Sequence, residues 1–306
     1  MITIDVDVGE VSRCPLCGSD DVLRSTCLPS LVLTSDFLVR YHFQEETVPQ
    51  LLTCTNCSLA YKNFEIDHDG EREIYELWRS SHGVRWAHPS NLSVNPTDLI
   101  ADIKSKFEAT NGRPPQTIID IGAGEGGYLD GFTGIERSSL DISEQSAREN
   151  SSRGIKGIVA DICSERFIVS QQFDVVTCFD VLEHLSAPDV ALRNISSLLR
   201  PGGLFIAETG NILSPLPALN GAQNWWYVNI PEHKVFWHEE LLRVSLSKWK
   251  LQITDVQMRS HKGRSVWSPK NVIKLFLSLT NLNARARPFR KVFMIDHIHF
   301  TSTKIS

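Results

Sequence analysis

The sequence predicts an α/β protein: a doubly wound, mostly parallel sheet with a small cysteine-rich module ahead of it. Three observations predict it. From residue 117 onward, short β-rich segments alternate with helical ones, the pattern of strands covered on both faces by crossover helices. The first of these strands runs directly into a glycine-rich turn, Gly122-Ala-Gly-Glu-Gly-Gly127. The first 63 residues hold two Cys-x-x-Cys pairs. At 306 residues the chain is long enough for one large domain and a small one, divided as a module at 1–63, a helical connector at 64–112 and the sheet domain at 113–306.

The elements follow in order. Residues 71–78 and 96–108 place apolar side chains three and four apart, which reads as two helices. Asn111-Gly-Arg-Pro-Pro115 stops the second. Residues 117–121 are a buried-strand pattern, and 138–141 and 155–161 are the next two strands. Residues 173–179, with β-branched Val175, Val176 and Thr177, make the fourth. Ser186-Ala-Pro-Asp189 reads as a capping-box start to a helix whose apolar face is Leu192, Ile195, Leu198 and Leu199. Arg200-Pro-Gly-Gly203 breaks that helix before a fifth strand at 204–207, and late strands are expected at 251–258 and 295–302. Ligands of such a sheet bind at the carboxyl ends of its strands, where the strand order reverses.

Composition narrows the function classes. A formal charge of −5 gives no support to a protein that coats nucleic acid. The acidic first ten residues lack the basic start and apolar core of a signal peptide. The longest apolar run, near 272–279, is interrupted by Lys274 and too short to span a membrane. Seven cysteines in such a chain are expected to be reduced thiols or metal ligands, in a cytoplasmic protein. Nothing in the pattern specifies an oligomeric state.

The glycine turn carries the first chemistry. Glycines at 122, 124 and 126 let the backbone turn sharply and approach a ligand where a Cβ would collide. Because Gly122, Gly124 and Gly127 also satisfy G-x-G-x-x-G, the loop alone does not separate S-adenosylmethionine (SAM) from a nicotinamide dinucleotide. Asp141, about 20 residues past the loop, is placed as an acceptor of ribose hydroxyls. Asp161 ends the next strand and is placed for an adenine amino group.

The order of motifs is more specific. Asp120-x-Gly-x-Gly-x-Gly126, Leu140-Asp-Ile-Ser, Ala160-Asp-Ile, Phe173-Asp-Val-Val, Asp180-Val-Leu-Glu-His184 and Leu198-Leu-Arg-Pro-Gly-Gly203 resemble the successive motifs of class I SAM-dependent methyltransferases. The resemblance covers 117–210 and implies a Rossmann-like fold with SAM as cofactor. It also implies that Asp120, Gly122, Gly124 and Gly126 line the methionine part of SAM, that Asp141 holds the ribose, and that Asp161 and Ile162 flank the adenine. Phe179 and Asp180 would close the site beside the sulfonium.

Cys14-Pro-Leu-Cys17 and Cys54-Thr-Asn-Cys57 form two knuckles, each presenting two thiolates from a tight turn. Together they complete a tetrahedral zinc site without an open position, so the expected role of Zn²⁺ is structural. Cys27, Cys163 and Cys178 fit no such spacing. The knuckles are similar to the N-terminal zinc domain of methyltransferases acting on nucleotide-linked sugars and related metabolites.

Methyl transfer needs mainly in-line positioning of the nucleophile, and a hydroxyl acceptor gains from a base with pKa near the working pH. His184 and His233 are the candidate bases, the second in a segment with Trp225, Trp226, Tyr227, Phe236 and Trp237 that could wall an acceptor pocket. The helix at 71–78, with Tyr75 and Trp78, resembles a lid segment. Residues 256–295 carry nine Lys or Arg and no Asp or Glu, a basic insertion suited to an anionic or nucleotide-linked acceptor. The expected reaction is O-methylation of a saccharide or other small metabolite. C-methylation of a nucleotide-linked keto-sugar is the alternative within the enzyme class, and a zinc-containing nucleic-acid- or protein-binding factor with a vestigial SAM fold is the alternative outside it.

Overall fold

The computed structural model describes residues 2–33, 37–43, 48–82, 95–124, 126–259 and 296–305. The N-terminal part is built from β1 (Ile2–Glu10), β2 (Val22–Cys27), β3 (Leu31–Leu33), β4 (Phe37–Phe43), β5 (Gln50–Cys54), β6 (Ala60–Lys62) and β7 (Phe64–Ile66). Two helices follow, α1 (His68–His82) and α2 (Pro96–Asn111). Next come β8 (Thr117–Ile121), β9 (Glu136–Asp141), α3 (Glu144–Ser152), β10 (Lys156–Val159), β11 (Phe173–Phe179) and α4 (Pro188–Leu198). The chain then forms β12 (Leu199–Gly210), α5 (Pro215–Asn220), β13 (Val235–Phe236), α6 (Glu239–Lys248), β14 (Leu251–Arg259) and β15 (His297–Lys304).

The central sheet has seven strands in the order β10-β9-β8-β11-β12-β15-β14. The first five are parallel, and β15 runs antiparallel to both β12 and β14. The chain winds outward from β8 to β10 and returns to β11 on the other side of β8. The switch point therefore lies between the carboxyl ends of β8 and β11, where a ligand is expected.

Side chains alternate between the two faces as the strand period requires. Ile118, Val175, Leu204 and Ile206 pack against Leu99, Ile103 and Phe107 of α2. Ile119, Val176, Phe205 and Ala207 belong to the core of the opposite face, with Leu192 and Ile195 of α4 and Leu242 and Leu246 of α6. All are fully or nearly fully buried, the layer architecture expected of a doubly wound sheet.

Local signals set most boundaries. Asn95 caps α2 by accepting from the Thr97 N–H at 2.9 Å, Pro96 begins it, and Gly112 ends it in the left-handed region at φ 66°. The start of α4 differs from the capping-box expectation. Ala187, not Ser186, is the N-cap and no side chain caps it; Pro188, with its preset φ, opens the helix. Strand β12 begins at Leu199, earlier than expected: Leu199 pairs with Phe173, residues 200–203 bulge, and pairing resumes at Leu204 with Val175.

The N-terminal strands form two further sheets, β3-β4-β1-β7 and β13-β6-β5-β2. The second includes β13, from the large domain, paired to β6 through Val235–Tyr61 and Phe236–Ala60. Trp225, Tyr227 and Phe236 pack with Tyr41, Phe64 and Ile74 beneath these sheets. Among the described residues no helix is long and apolar enough to cross a membrane.

Candidate active site

The turn after β8 is constrained by its neighbours. Gly122 sits at φ 66°, and a Cβ there would come within 2.3 Å of Val181 Cγ2. Gly126, at φ 59°, would place a Cβ 2.3 Å from Asn150 Oδ1. Asn150, buried in α3, donates its Nδ2 to the Gly124 carbonyl at 2.8 Å. Asp141, at the end of β9, accepts from the Gly124 N–H through Oδ2 and from the Ser143 N–H through Oδ1, both at 2.9 Å. The loop and the ribose candidate are thus one hydrogen-bonded unit.

Asp120 is buried, accepts from the Thr177 hydroxyl at 2.8 Å, and lies beside Tyr128, which also bonds Thr177. Burial pushes its carboxyl up to about 7 against these hydrogen bonds. Asp161 is exposed beyond β10 and accepts from the Cys163 N–H at 2.8 Å. Ile162 is buried, its carbonyl held by Asn194 Nδ2 at 2.9 Å. Phe179 meets Tyr128 edge-on at 5.6 Å and stacks on His299 at 6.0 Å. Asp180 has φ 52°, a left-handed conformation uncommon outside glycine and worth reading as functional strain. Its Oδ1 is buried with no hydrogen-bond partner among the described residues and lies 4.0 Å from His297 Nε2, although its side chain is 41 % exposed overall. Burial of that oxygen, then the nearby Glu183, raises the carboxyl to about 8. The glycine cradle, anchored Asp141, apolar Ile162 and Asp180 all lie past the carboxyl ends of β8 to β11, and these groups fit an adenosyl cofactor with an amino-acid tail.

The turn Leu182–His184 carries a second group of side chains. Trp237 Nε1 donates to the Leu182 carbonyl at 2.9 Å and the Lys234 N–H to the Glu183 carbonyl at 2.8 Å, which fixes the turn. Glu183 is 1 % exposed; Oε2 accepts from the Thr209 hydroxyl at 2.9 Å, and Oε1 has no partner among the described residues. His233 is buried and donates from Nδ1 to the Tyr227 carbonyl at 2.9 Å, so its lone pair is on Nε2, 3.9 Å from Glu183 Oε1. Burial, aided by the neighbouring His184 and Lys62, holds its pKa well below the ordinary value, so the ring is neutral at physiological pH and makes no ion pair with Glu183. His184 is half-buried, faces the Glu232 carbonyl with Nδ1 at 3.1 Å, and lies edge-on to His233 with centroids 4.7 Å apart. Tyr75 of α1 reaches His184 Nδ1 at 3.4 Å.

The aromatic segment differs from the expected pocket wall. Trp225, Tyr227, Phe236 and Trp237 are all 2 % exposed or less and belong to the core; Trp226 alone is half-buried. An aromatic run reads alike whether it lines a pocket or fills a core. Trp78 has no described side chain, and residues 260–295 of the basic stretch lie outside the described residues.

Sequence reasoning missed a polar network on β12 and β15. His299 Nδ1 lies 3.2 Å from Glu208 Oε2, and His297 Nδ1 2.8 Å from Asp296 Oδ1. Burial alone would lower His297; the Asp296 hydrogen bond and the Asp180 charge outweigh it and raise the imidazole to about 9. The alternation His297-x-His299 in a buried strand was the available signal.

The four cysteines meet as the spacing predicts. Cys14 and Cys57 sulfurs are 3.5 Å apart, Cys17 and Cys54 sulfurs 3.6 Å, and all four lie within 4.8 Å of one another. A tetrahedron with zinc–sulfur bonds near 2.3 Å has an edge of about 3.8 Å, so the donor set fits zinc. The knuckles match: the Gly18 N–H bonds the Cys14 carbonyl and the Ser58 N–H the Cys54 carbonyl, with φ 73° and 65° at the two turns.

Comparison with known proteins agrees with this geometry. A family model described as a methyltransferase domain matches residues 95–255. The ubiquinone biosynthesis O-methyltransferase of Alkalilimnicola ehrlichii is 29 % identical over 216 residues, covering 67 % of this chain and 84 % of that one. The protein of the same name from Haemophilus ducreyi is 27 % identical over 158 residues, and the chain spans 64 % of its length. Among solved structures, the plantazolicin methyltransferase BamL, in complex with a triazolic desmethylPZN analog and S-adenosylhomocysteine, shares the fold. Its TM-score is 0.50 at 17 % identity, with 78 % of this chain and 92 % of that chain covered. With a glycine cradle at the switch point of a class I sheet and a family match over more than half its length, this chain belongs to the methyltransferase-domain family.

Proposed function

We propose that this methyltransferase uses SAM to methylate a hydroxyl of a small metabolite, a saccharide or another hydroxyl-bearing compound. The observation that carries the reading is the meeting of Glu183, His184 and His233 just past the end of β11, next to Phe179 and Asp180. Asp120 and the 122–126 turn would hold the methionine part of the cofactor, Asp141 its ribose, Asp161 and Ile162 its adenine. SAM, when bound, supplies an electrophilic methyl group; the chain's own residues orient the acceptor oxygen and remove its proton. The acceptor hydroxyl is activated where the neutral His233 imidazole and His184 meet Glu183. The O-methyltransferase names of the relatives favour oxygen as the methylated atom.

The Cys14, Cys17, Cys54 and Cys57 cluster holds a structural zinc in this reading. Its fourfold thiolate set leaves no position for substrate.

Acceptor screening with purified protein and labelled SAM tests the proposal. His184→Ala should lower kcat by roughly a hundredfold or more with the SAM Kd unchanged. Wild-type kcat in that variant, or in His233→Ala, would contradict the placing of hydroxyl activation at this cluster.

A further inference from the structure

Three features of the Glu183–His184–His233 group go beyond what a general base requires. First, it offers three donors of metal-binding type: a ligand atom from each lies within 4.8 Å of the other two. Second, each donor is oriented from behind. Thr209 donates to Glu183 Oε2, the Tyr227 carbonyl accepts a hydrogen bond from His233 Nδ1–H, and the Glu232 carbonyl faces His184 Nδ1. Outer partners of this kind, a hydroxyl or carbonyl behind each ligand, fix the tautomer and direction of metal-binding imidazoles and carboxylates. Third, Glu183 Oε1 is buried with no hydrogen-bond partner among the described residues, and the His233 Nε2 that lies 3.9 Å from it carries a lone pair rather than a proton. A buried carboxylate oxygen left bare is costly unless something compensates it.

We infer that Glu183, His184 and His233 form a binding site for a divalent first-row cation, distinct from the four-cysteine cluster. Two imidazoles and one carboxylate oxygen suit zinc, iron or manganese and leave coordination positions for other oxygen ligands. The inference rests on the hydroxyl-methylation reading in one respect only: the acceptor hydroxyl is the natural occupant of an open position. Coordination to a dication weakens the O–H bond, so the electron pair stays on oxygen and the proton leaves to water. With the cation bound the imidazoles serve as its ligands; in its absence they serve as the base of the proposed reaction.

The test is metal binding by the full chain, without acceptor and without turnover, so it stands apart from any failure of the methylation reading. Mn²⁺ is the first probe because thiolate sites disfavour it and its free form is read by paramagnetic resonance. Zinc-loaded protein should take up one Mn²⁺ per chain, and excess Zn²⁺ should raise zinc content from one to two per chain. Glu183→Gln and His184→Ala should each weaken Mn²⁺ binding by at least about a hundredfold, beyond what a lost outer partner alone gives. SAM titration of each variant checks that it is folded. Uptake of neither cation by wild type beyond the first zinc would overturn the site, as would unchanged affinity in the folded variants.

Discussion

Asp141, the proposed ribose acceptor, is also the residue that orders the glycine turn. Its two oxygens are already engaged by the Gly124 and Ser143 N–H groups, which aligns the carboxylate at the end of β9. Asp141→Ala removes the acceptor that orders the turn, so the SAM Kd should rise at least about tenfold. Equilibrium titration of the variant checks this; an unchanged Kd would detach Asp141 from the cofactor. The legibility of such residues followed from how local their signals are. Asp120, Gly122, Gly124 and Asp141 belong to short contiguous motifs, and the structure brings them to one end of the sheet. In the sequence Glu183 is one letter within Asp180-Val-Leu-Glu-His184, and nothing local shows that its oxygen lies 3.9 Å from His233, fifty residues on. The His299–Glu208 pair was invisible for the same reason: it is made by antiparallel register between β12 and β15.

Among the elements, the strands and helices of the large domain were readable because each is long enough to show a period. The N-terminal strands were not. Several have only three residues, too short for alternation, and β13 has two and joins a sheet far away in sequence. The amino end of β11 illustrates what ties elements together. Asp174 is 1 % exposed and accepts from Arg113 at 2.8 and 3.1 Å, from Arg200 at 3.1 Å and from the Gln116 N–H at 2.7 Å. Burial would raise its carboxyl, but the Arg113 hydrogen bonds and the other donors outweigh burial and hold it below the ordinary value. A carboxyl with a lowered folded pKa stabilises above its unfolded pKa near 3.9, and the contribution is lost as pH falls through the folded value. Denaturant unfolding should therefore show a stability loss below about pH 4 that Asp174→Asn flattens. The variant should also lose about 2 kcal/mol at neutral pH. A wild-type acid limb in the variant would rule out Asp174 as its source.

For the molecule as a whole, the cysteine cluster and the candidate active site are mechanically linked. Cys54 ends β5, β5 pairs with β6, and β6 pairs with β13, which lies two residues past His233. Lys234 then anchors the Glu183 carbonyl through its N–H and meets Glu65 and Glu71 through its ammonium at 2.6 and 2.9 Å. Stripping metal from the four cysteines should lower the Tm and impair the Glu183–His184–His233 group with it. Thermal unfolding with and without a zinc chelator measures this, and an unchanged Tm would show that the cluster is no structural zinc site. Calorimetric titration of SAM and of NADH into the full chain decides whether the switch point between β8 and β11 is a SAM site. SAM should bind saturably, more weakly in Asp141→Ala, and NADH should not bind. Absence of SAM binding by folded, zinc-replete protein, or binding of NADH in its place, would contradict that assignment.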